Sequence, residues 1–348
     1  MSSPTRTGPI SVALDAMGGD HAPAVTVEGA VRAVREASGG LAVVLVGRES
    51  EVRGALAEHD IGGLSIDVLD APETIGMAES PAAALKGKPK SSIHVGLGAH
   101  KAGAVDAFAS AGNTGAVLAA STFILGRLPG VLRPALPGYF PTVDGMCICV
   151  DVGANVDVRP DLLVQFAKMG RVFAQHALHT DDPSVALINV GEEPGKGTET
   201  VKETYEKLGA EDGLRFIGNI EGRDVFHHGA DVIVCDGFVG NVMLKLGESI
   251  STILPHLLGR EIERQGLGPD VASGVQSVLK GVAATFDYEN YGGVPLLGVD
   301  GTSVIGHGGS SARAIARMVT HAAELVAEGV TDRVAEAIAR PSADPVGA

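Results

Sequence analysis

Five apolar runs in this chain each end on a glycine beside an asparagine or aspartate, and this recurrence constrains the fold more than any other feature. Ile10–Leu14 leads into Asp15-Ala16-Met17-Gly18-Gly19-Asp20-His21, and Ala107–Ala109 into Ser110-Ala111-Gly112-Asn113-Thr114-Gly115. Cys147–Val150 leads into Asp151-Val152-Gly153-Ala154-Asn155, and Val185–Ile188 into Asn189-Val190-Gly191-Glu192-Glu193-Pro194-Gly195-Lys196-Gly197. Val232–Cys235 leads into Asp236-Gly237-Phe238-Val239-Gly240-Asn241. Continuous apolar strands alternating with helical periodicity imply a mainly parallel sheet covered on both faces, an α/β fold. Ligands of such sheets gather beyond the carboxyl ends of the strands, so all five corners are expected along one rim of one sheet.

Composition narrows the function. Of 348 residues, 48 are glycine, about twice the usual share, and the excess sits in these corners rather than in a low-complexity block. A net charge of −15 disfavours general nucleic-acid binding, so an anionic substrate has to be met by local positive potential. Aromatics make up 4% with no Trp, which argues against base- or sugar-stacking platforms. The cysteines, Cys147, Cys149 and Cys235, fall in apolar runs without framework spacing and read as inert core thiols of a reducing compartment. No apolar run reaches membrane-span length and no secretory h-region opens the chain, so a cytoplasmic protein is expected.

One α/β domain is expected over residues 10–328, with frayed tails at 1–9 and 330–348. Pro23 fits the first turn of a helix, Leu41–Val46 reads as a buried strand, Glu51–His59 as a helix and Leu64–Leu69 as a further strand. From 242 to 286 the rhythm changes to a helical hairpin broken at Gly266-Leu267-Gly268-Pro269, with a kink expected at Pro255. Met243, Leu246, Ile250, Ile253, Leu254 and Leu257 recur near helical spacing, as do Val271, Val275, Val278 and Val282. That stripe packs on the main domain or a second subunit, or it meets a membrane or an acyl chain.

Chemistry concentrates in the loops. Backbone amides of a glycine-rich turn opening a helix form an anion site, and Gly18-Gly19, Asn113-Thr114-Gly115 and Gly308-Gly309-Ser310-Ser311 match that description. Ser310 or Ser311 would cap the last of these helices. Lys196, between two glycines, and Arg133 are candidate cations, each also readable as a solvated loop residue; Lys86-Gly87-Lys88-Pro89-Lys90 reads as a solvated basic loop that would suit an acidic partner. His21 and His307 adjoin glycine loops as general acids or as hydrogen-bonded loop residues. Gly96-Leu97-Gly98-Ala99-His100-Lys101 lacks the third glycine of a dinucleotide fingerprint and sits within a helical pattern. No P-loop, HExxH, CxxC or GxSxG spacing appears, so neither a metal nor a cofactor is expected.

Taken together, Leu14–Pro23, Ser110–Ala116, Asp151–Asn155, Asn189–Gly197, Asp236–Asn241 and Tyr291-Gly292-Gly293 resemble the signatures of the PlsX family, the acyl-carrier-protein:phosphate acyltransferases. The resemblance runs from about Ile10 to Val326. It implies a Rossmann-like layered fold similar to phosphotransacetylases and isopropylmalate dehydrogenases, without nicotinamide use. It further implies a cytosolic, membrane-associated homodimer that makes acyl phosphate from acyl-carrier protein and inorganic phosphate for phosphatidic acid synthesis, upstream of the glycerol-3-phosphate acyltransferase PlsY. In that reaction Gly18, Gly19, Asn113, Thr114, Gly115 and Ser310 are expected to hold phosphate, with Asn155 and Asn241 as amide donors. Lys196 or Arg133 would meet the developing charge. Asp15 and Asp20 would orient the cradle or accept a proton. A coenzyme A-dependent short-chain acyltransferase, a dehydrogenase of the isopropylmalate class and a non-catalytic carrier-binding protein are the rival readings.

Overall fold

The apolar runs form strands wherever they were expected, but they divide between two sheets. The computed structural model describes residues 8–285 and 288–340. In chain order it contains β1 (Ile10–Asp15), α1 (Ala24–Glu36), β2 (Leu41–Gly47), α2 (Glu49–Leu56), β3 (Ile66–Asp70), α3 (Pro81–Gly87), α4 (Ser92–Lys101), β4 (Ala107–Ser110) and α5 (Thr114–Ile124). There follow β5 (Pro137–Thr142), β6 (Gly145–Val150), α6 (Pro160–Ala177), β7 (Ser184–Asn189), α7 (Glu199–Gly209), β8 (Arg215–Glu221), β9 (Val232–Val234), α8 (Gly237–Gln265) and α9 (Pro269–Thr285). The chain closes with β10 (Val294–Pro295), β11 (Thr302–Ile305), α10 (Ala312–Ala327) and α11 (Val330–Ala339).

Among the described residues two compact units result, one of 8–134 together with 288–339, the other of 135–285 with 340. The first is built on a six-stranded sheet of order β10-β11-β4-β1-β2-β3, parallel except for β10. Helix α4 packs on β1, β2 and β4, while α1 and α10 pack on each other and on the strands. Leu14, Leu45, Ile93, Leu97 and Phe108 are fully buried between these layers. Chain order reverses between β1 and β4, with β2 and β3 on one side and β11 on the other, the switch point at which open sheets hold ligands. The second unit has order β5-β6-β9-β7-β8, parallel except for β5, over a core that includes Ile148, Phe166, Met169, Phe173 and Leu187.

Several expectations shift. The single sheet becomes two, because alternation of strands and helices does not say which sheet a strand joins, and the antiparallel β5 starts the second one. Residues 330–339, expected in a frayed tail, form α11, whose Val330 and Val334 are buried. The remaining tail residues, 1–7 and 341–348, lie outside the described residues, as does position 286 at the end of the hairpin. The hairpin itself is present, with Pro255 inside α8. The cysteines are buried as expected, and burial pushes the Cys147 thiol up to about 12.

Candidate active site

At the switch point of the first unit, three loops that follow β1, β4 and β11 converge on Asp15. This carboxylate is 1% exposed and sits at the carboxyl end of β1. It accepts hydrogen bonds from Ser110 Oγ at 2.7 Å and from the Met17 amide at 3.1 Å. Burial pushes its acidity toward the neutral form, against the hydroxyls of Ser92 and Ser110 and the amides of Met17 and Gly18, which favour the anion. Ser110 Oγ also accepts from the Gly112 amide at 3.0 Å, so the carboxylate fixes the turn after β4 through one hydroxyl. Gly18 is required by this approach, since a Cβ there would lie 2.6 Å from Asp15 Oδ2 and 2.8 Å from the Gly112 nitrogen. The third loop joins through the Asp20 amide, which donates to Gly308 O at 2.8 Å. Gly18, Gly19, His21, Ala111, Gly308 and Ser310 line one concavity.

Two helix N-termini open at these loops. Asn113 caps α5, its Oδ1 accepting from the Ala116 amide at 3.0 Å, and Ser311 rather than Ser310 caps α10. The Thr114 and Gly115 amides precede the first bond of the α5 ladder and are therefore available donors. The Asn113 side chain is not: its Nδ2 lies within reach of three carbonyls, Gly76 at 3.3 Å and Met77 and Glu79 at 3.0 Å each. It thereby suspends a strap, residues 74–79, beside the corner. Lys88 braces the same strap, donating to Thr74 O at 2.7 Å and pairing with Glu79 at 2.5 Å, so it is not the solvated lysine the sequence suggested. Gly115 contributes smallness as well as its amide, because a Cβ there would meet Pro81 Cγ at 2.7 Å. The Ser310 hydroxyl donates to His307 O at 2.6 Å.

The second unit repeats the theme with different donors. Asp151, just beyond β6, is 0% exposed; it accepts from the Leu136 amide at 2.8 Å, the Asn155 amide at 2.5 Å and Asn155 Nδ2 at 3.2 Å. Burial pushes this carboxyl up to about 6 against those bonds. Asn155 O accepts from the Gly237 amide at 2.7 Å, and a Cβ on Gly237 would lie 2.7 Å from Asp151 Oδ2. Asp236 caps α8 through the Val239 amide at 2.8 Å. Asn155 is thus bound to Asp151, while Asn241 is exposed beside Gly153. Lys196 is exposed on the loop after β7, its ammonium 3.9 Å from Glu193, and the loop is held by Asn189 Nδ2 on Lys196 O and Asn219 Nδ2 on Glu193 O, both at 3.1 Å.

The expected residues therefore fall into two groups. Asp15, Gly18, Gly19, Asp20, Asn113, Thr114, Gly115 and Ser310 come together in the first unit; Asn155, Lys196 and Asn241 belong to the second, and Arg133 is an exposed residue near the end of the first segment. Ser92, Ser110, Asp151 and the strap were not assigned roles from sequence. For Ser110 and Asp151 the signal was present, a polar residue closing a buried strand; the strap has no periodicity to betray it.

A family model described as fatty acid synthesis protein matches residues 10–333. A phosphate acyltransferase of Salinibacter ruber is 51% identical over 333 residues, 95% of this chain and 98% of that one. One from Chlorobaculum parvum is 46% identical over 334 residues, 94% and 98% of the two chains. Among solved structures, a phosphotransacetylase from Streptococcus pyogenes matches with a TM-score of 0.60 at 17% identity, over 92% of this chain and 94% of that one, a likeness of fold.

Proposed function

Since the chain belongs to the fatty acid synthesis protein family, the PlsX phosphate acyltransferases, we propose that it transfers a long-chain acyl group from acyl-carrier protein to inorganic phosphate. Phosphate acyl transfer itself is the family's activity; the carrier-bound donor, the acyl phosphate product and its use in phospholipid synthesis are our reading. One observation carries it: the convergence of the Gly18, Gly112 and Gly308 loops on Asp15 beside the open first turn of α5. A phosphate oxygen attacks the thioester carbonyl, the carbon–sulfur bond breaks, and the carrier thiolate takes up a proton. Phosphate is largely dianionic near neutrality, so positioning and charge stabilisation matter more than a strong base. The Thr114 and Gly115 amides and the α5 dipole supply the cradle. Asp15 is too buried to meet substrate and orients the loops; to Asp20, exposed and with its amide on Gly308 O, we assign the proton of monoanionic phosphate.

Lys196, in the second unit, is proposed as a residue that turnover requires. The test is phosphate-dependent thiol release from a long-chain acyl carrier, compared with release from the coenzyme A thioester. Release from the carrier supports the reading; release from coenzyme A alone replaces it with a coenzyme A-dependent acyltransferase. Lys196→Ala is expected to cut turnover at least 100-fold, and normal turnover with a normal phosphate KM removes its role. Exposed Leu246, Ile253, Val278 and Val282 on α8 and α9 support a covered face there, a second copy of the chain or a membrane surface near PlsY, which sedimentation and vesicle flotation separate.

A further inference from the structure

Charge is distributed unevenly along this acidic chain. Against 27 basic and 42 acidic residues overall, the segment 80–134 holds six lysines and arginines and a single acid, Asp106. That acid faces inward, accepting from both the amide and the hydroxyl of Ser11 at 2.7 Å. The segment builds α3, α4 and α5, which lie against one another on one side of the first unit's sheet. Its cations sit at both ends of this layer. Lys86 and Lys90 flank the turn between α3 and α4, and α3 begins at Pro81 against Gly115 of the phosphate corner. At the far end Lys101 donates to Leu125 O, close to Arg127. At that end too, near the close of α5, the ring of Phe123 is 85% exposed. The acids that reach this side, Glu73, Glu79 and Asp300, are engaged with the Lys90 amide, Lys88 and Lys101.

Taking the carrier-bound donor of the preceding subsection as premise, we propose that the α3–α4–α5 face is the docking surface for the acidic carrier protein. Charge complementarity selects this occupant. A local positive face on a chain of net charge −15 attracts an acidic protein, and its continuity with the phosphate corner, where Pro81 meets Gly115, favours the carrier over a second copy. A single protruding ring on α5, with small exposed residues Ala82, Ala83 and Gly87 on α3, suits a protein helix better than lipid, which calls for a cluster of inserted side chains. The face begins at the phosphate corner, so a carrier seated on it starts its prosthetic arm beside Asn113 and the strap.

The decisive variant is Lys86→Glu/Lys90→Glu in the full chain, with Phe123→Ser alongside. Neither alters a group assigned to phosphate. The KM for acyl carrier should rise 10-fold or more, its dependence on salt should flatten, and the phosphate KM and melting temperature should hold. A carrier with acids reversed to lysine should restore the double variant. If the reversal does not fold, Lys86→Gln/Lys90→Gln should raise the carrier KM about 3-fold by the same logic. Unchanged carrier kinetics overturns the surface. So does loss of vesicle binding or of dimers with carrier KM intact, which would make the face a lipid or self-association surface. A wild-type enzyme that releases thiol from coenzyme A but never from carrier overturns the donor reading and this surface together, whereas normal carrier use by the reversed variant removes the surface alone.

Discussion

Asp15 and Asp151 close strands of different sheets, and each is crowded by a glycine, Gly18 from the loop after β1 itself and Gly237 from the loop after the neighbouring β9. They differ in part of what solvates them. Asp15 adds the hydroxyls of Ser110 and Ser92, which can turn and can exchange donor for acceptor, to the amides of Met17 and Gly18; Asp151 is held by amides alone, of Leu136 and Asn155. Hydroxyl solvation leaves the first corner able to adjust its hydrogen bonds, as the proposed phosphate site would require. Amide solvation makes the second corner a rigid tie between β5, the loop after β6 and the start of α8.

The comparison breaks most sharply at the two glycines. Gly18→Ala is expected to abolish phosphate-dependent turnover by 100-fold or more in a protein that still melts cooperatively. Gly237→Ala should cost about 1–3 kcal/mol of stability from overpacking and lower the melting temperature first. Equal losses of activity at equal stability would erase the distinction.

Next comes pH. The Asp151 carboxyl has its folded value raised from 3.8 to about 6, so its contribution to stability is complete below 3.8 and fades as pH climbs through 6. Relative to Asp151→Asn, the wild type should therefore gain about 2 kcal/mol between pH 7.5 and pH 4, read from urea midpoints at each pH. A parallel pair of curves would show that the carboxyl is not strained by burial. Ser110→Ala should be milder, about 1–2 kcal/mol, with the phosphate KM raised several-fold because the turn at Gly112 loses its anchor. The smallest change belongs to Asn113→Ala, which loses the helix cap, about 1 kcal/mol, and releases the strap, so that proteolysis at 74–79 quickens.

Much of this was legible before any coordinates. Buried parallel strands announce themselves as unbroken apolar runs, and the glycine corners after β1, β4 and β9 lie where those runs stop. The helical pattern at Gly96–Lys101 is α4, whose Gly96 makes room for Phe108 rather than for a pyrophosphate. What stayed hidden is what depends on partners distant in sequence. Nothing local says that β5 turns antiparallel and founds a second sheet. Nothing local says that Asn113 reaches back 34 to 37 residues for its hydrogen bonds, or that Lys88 does the bracing among three similar lysines. A side chain's type advertises what it can bind; only the fold decides whether that capacity is already taken.

The suspension of the strap has a consequence in simple proton counting. A primary amide offers two hydrogens to the three carbonyl oxygens around Asn113 Nδ2, and the most distant of them, Gly76 O, also accepts from the Glu79 amide at 3.1 Å. All three oxygens are therefore served, two by the side chain and one by the strap's own turn.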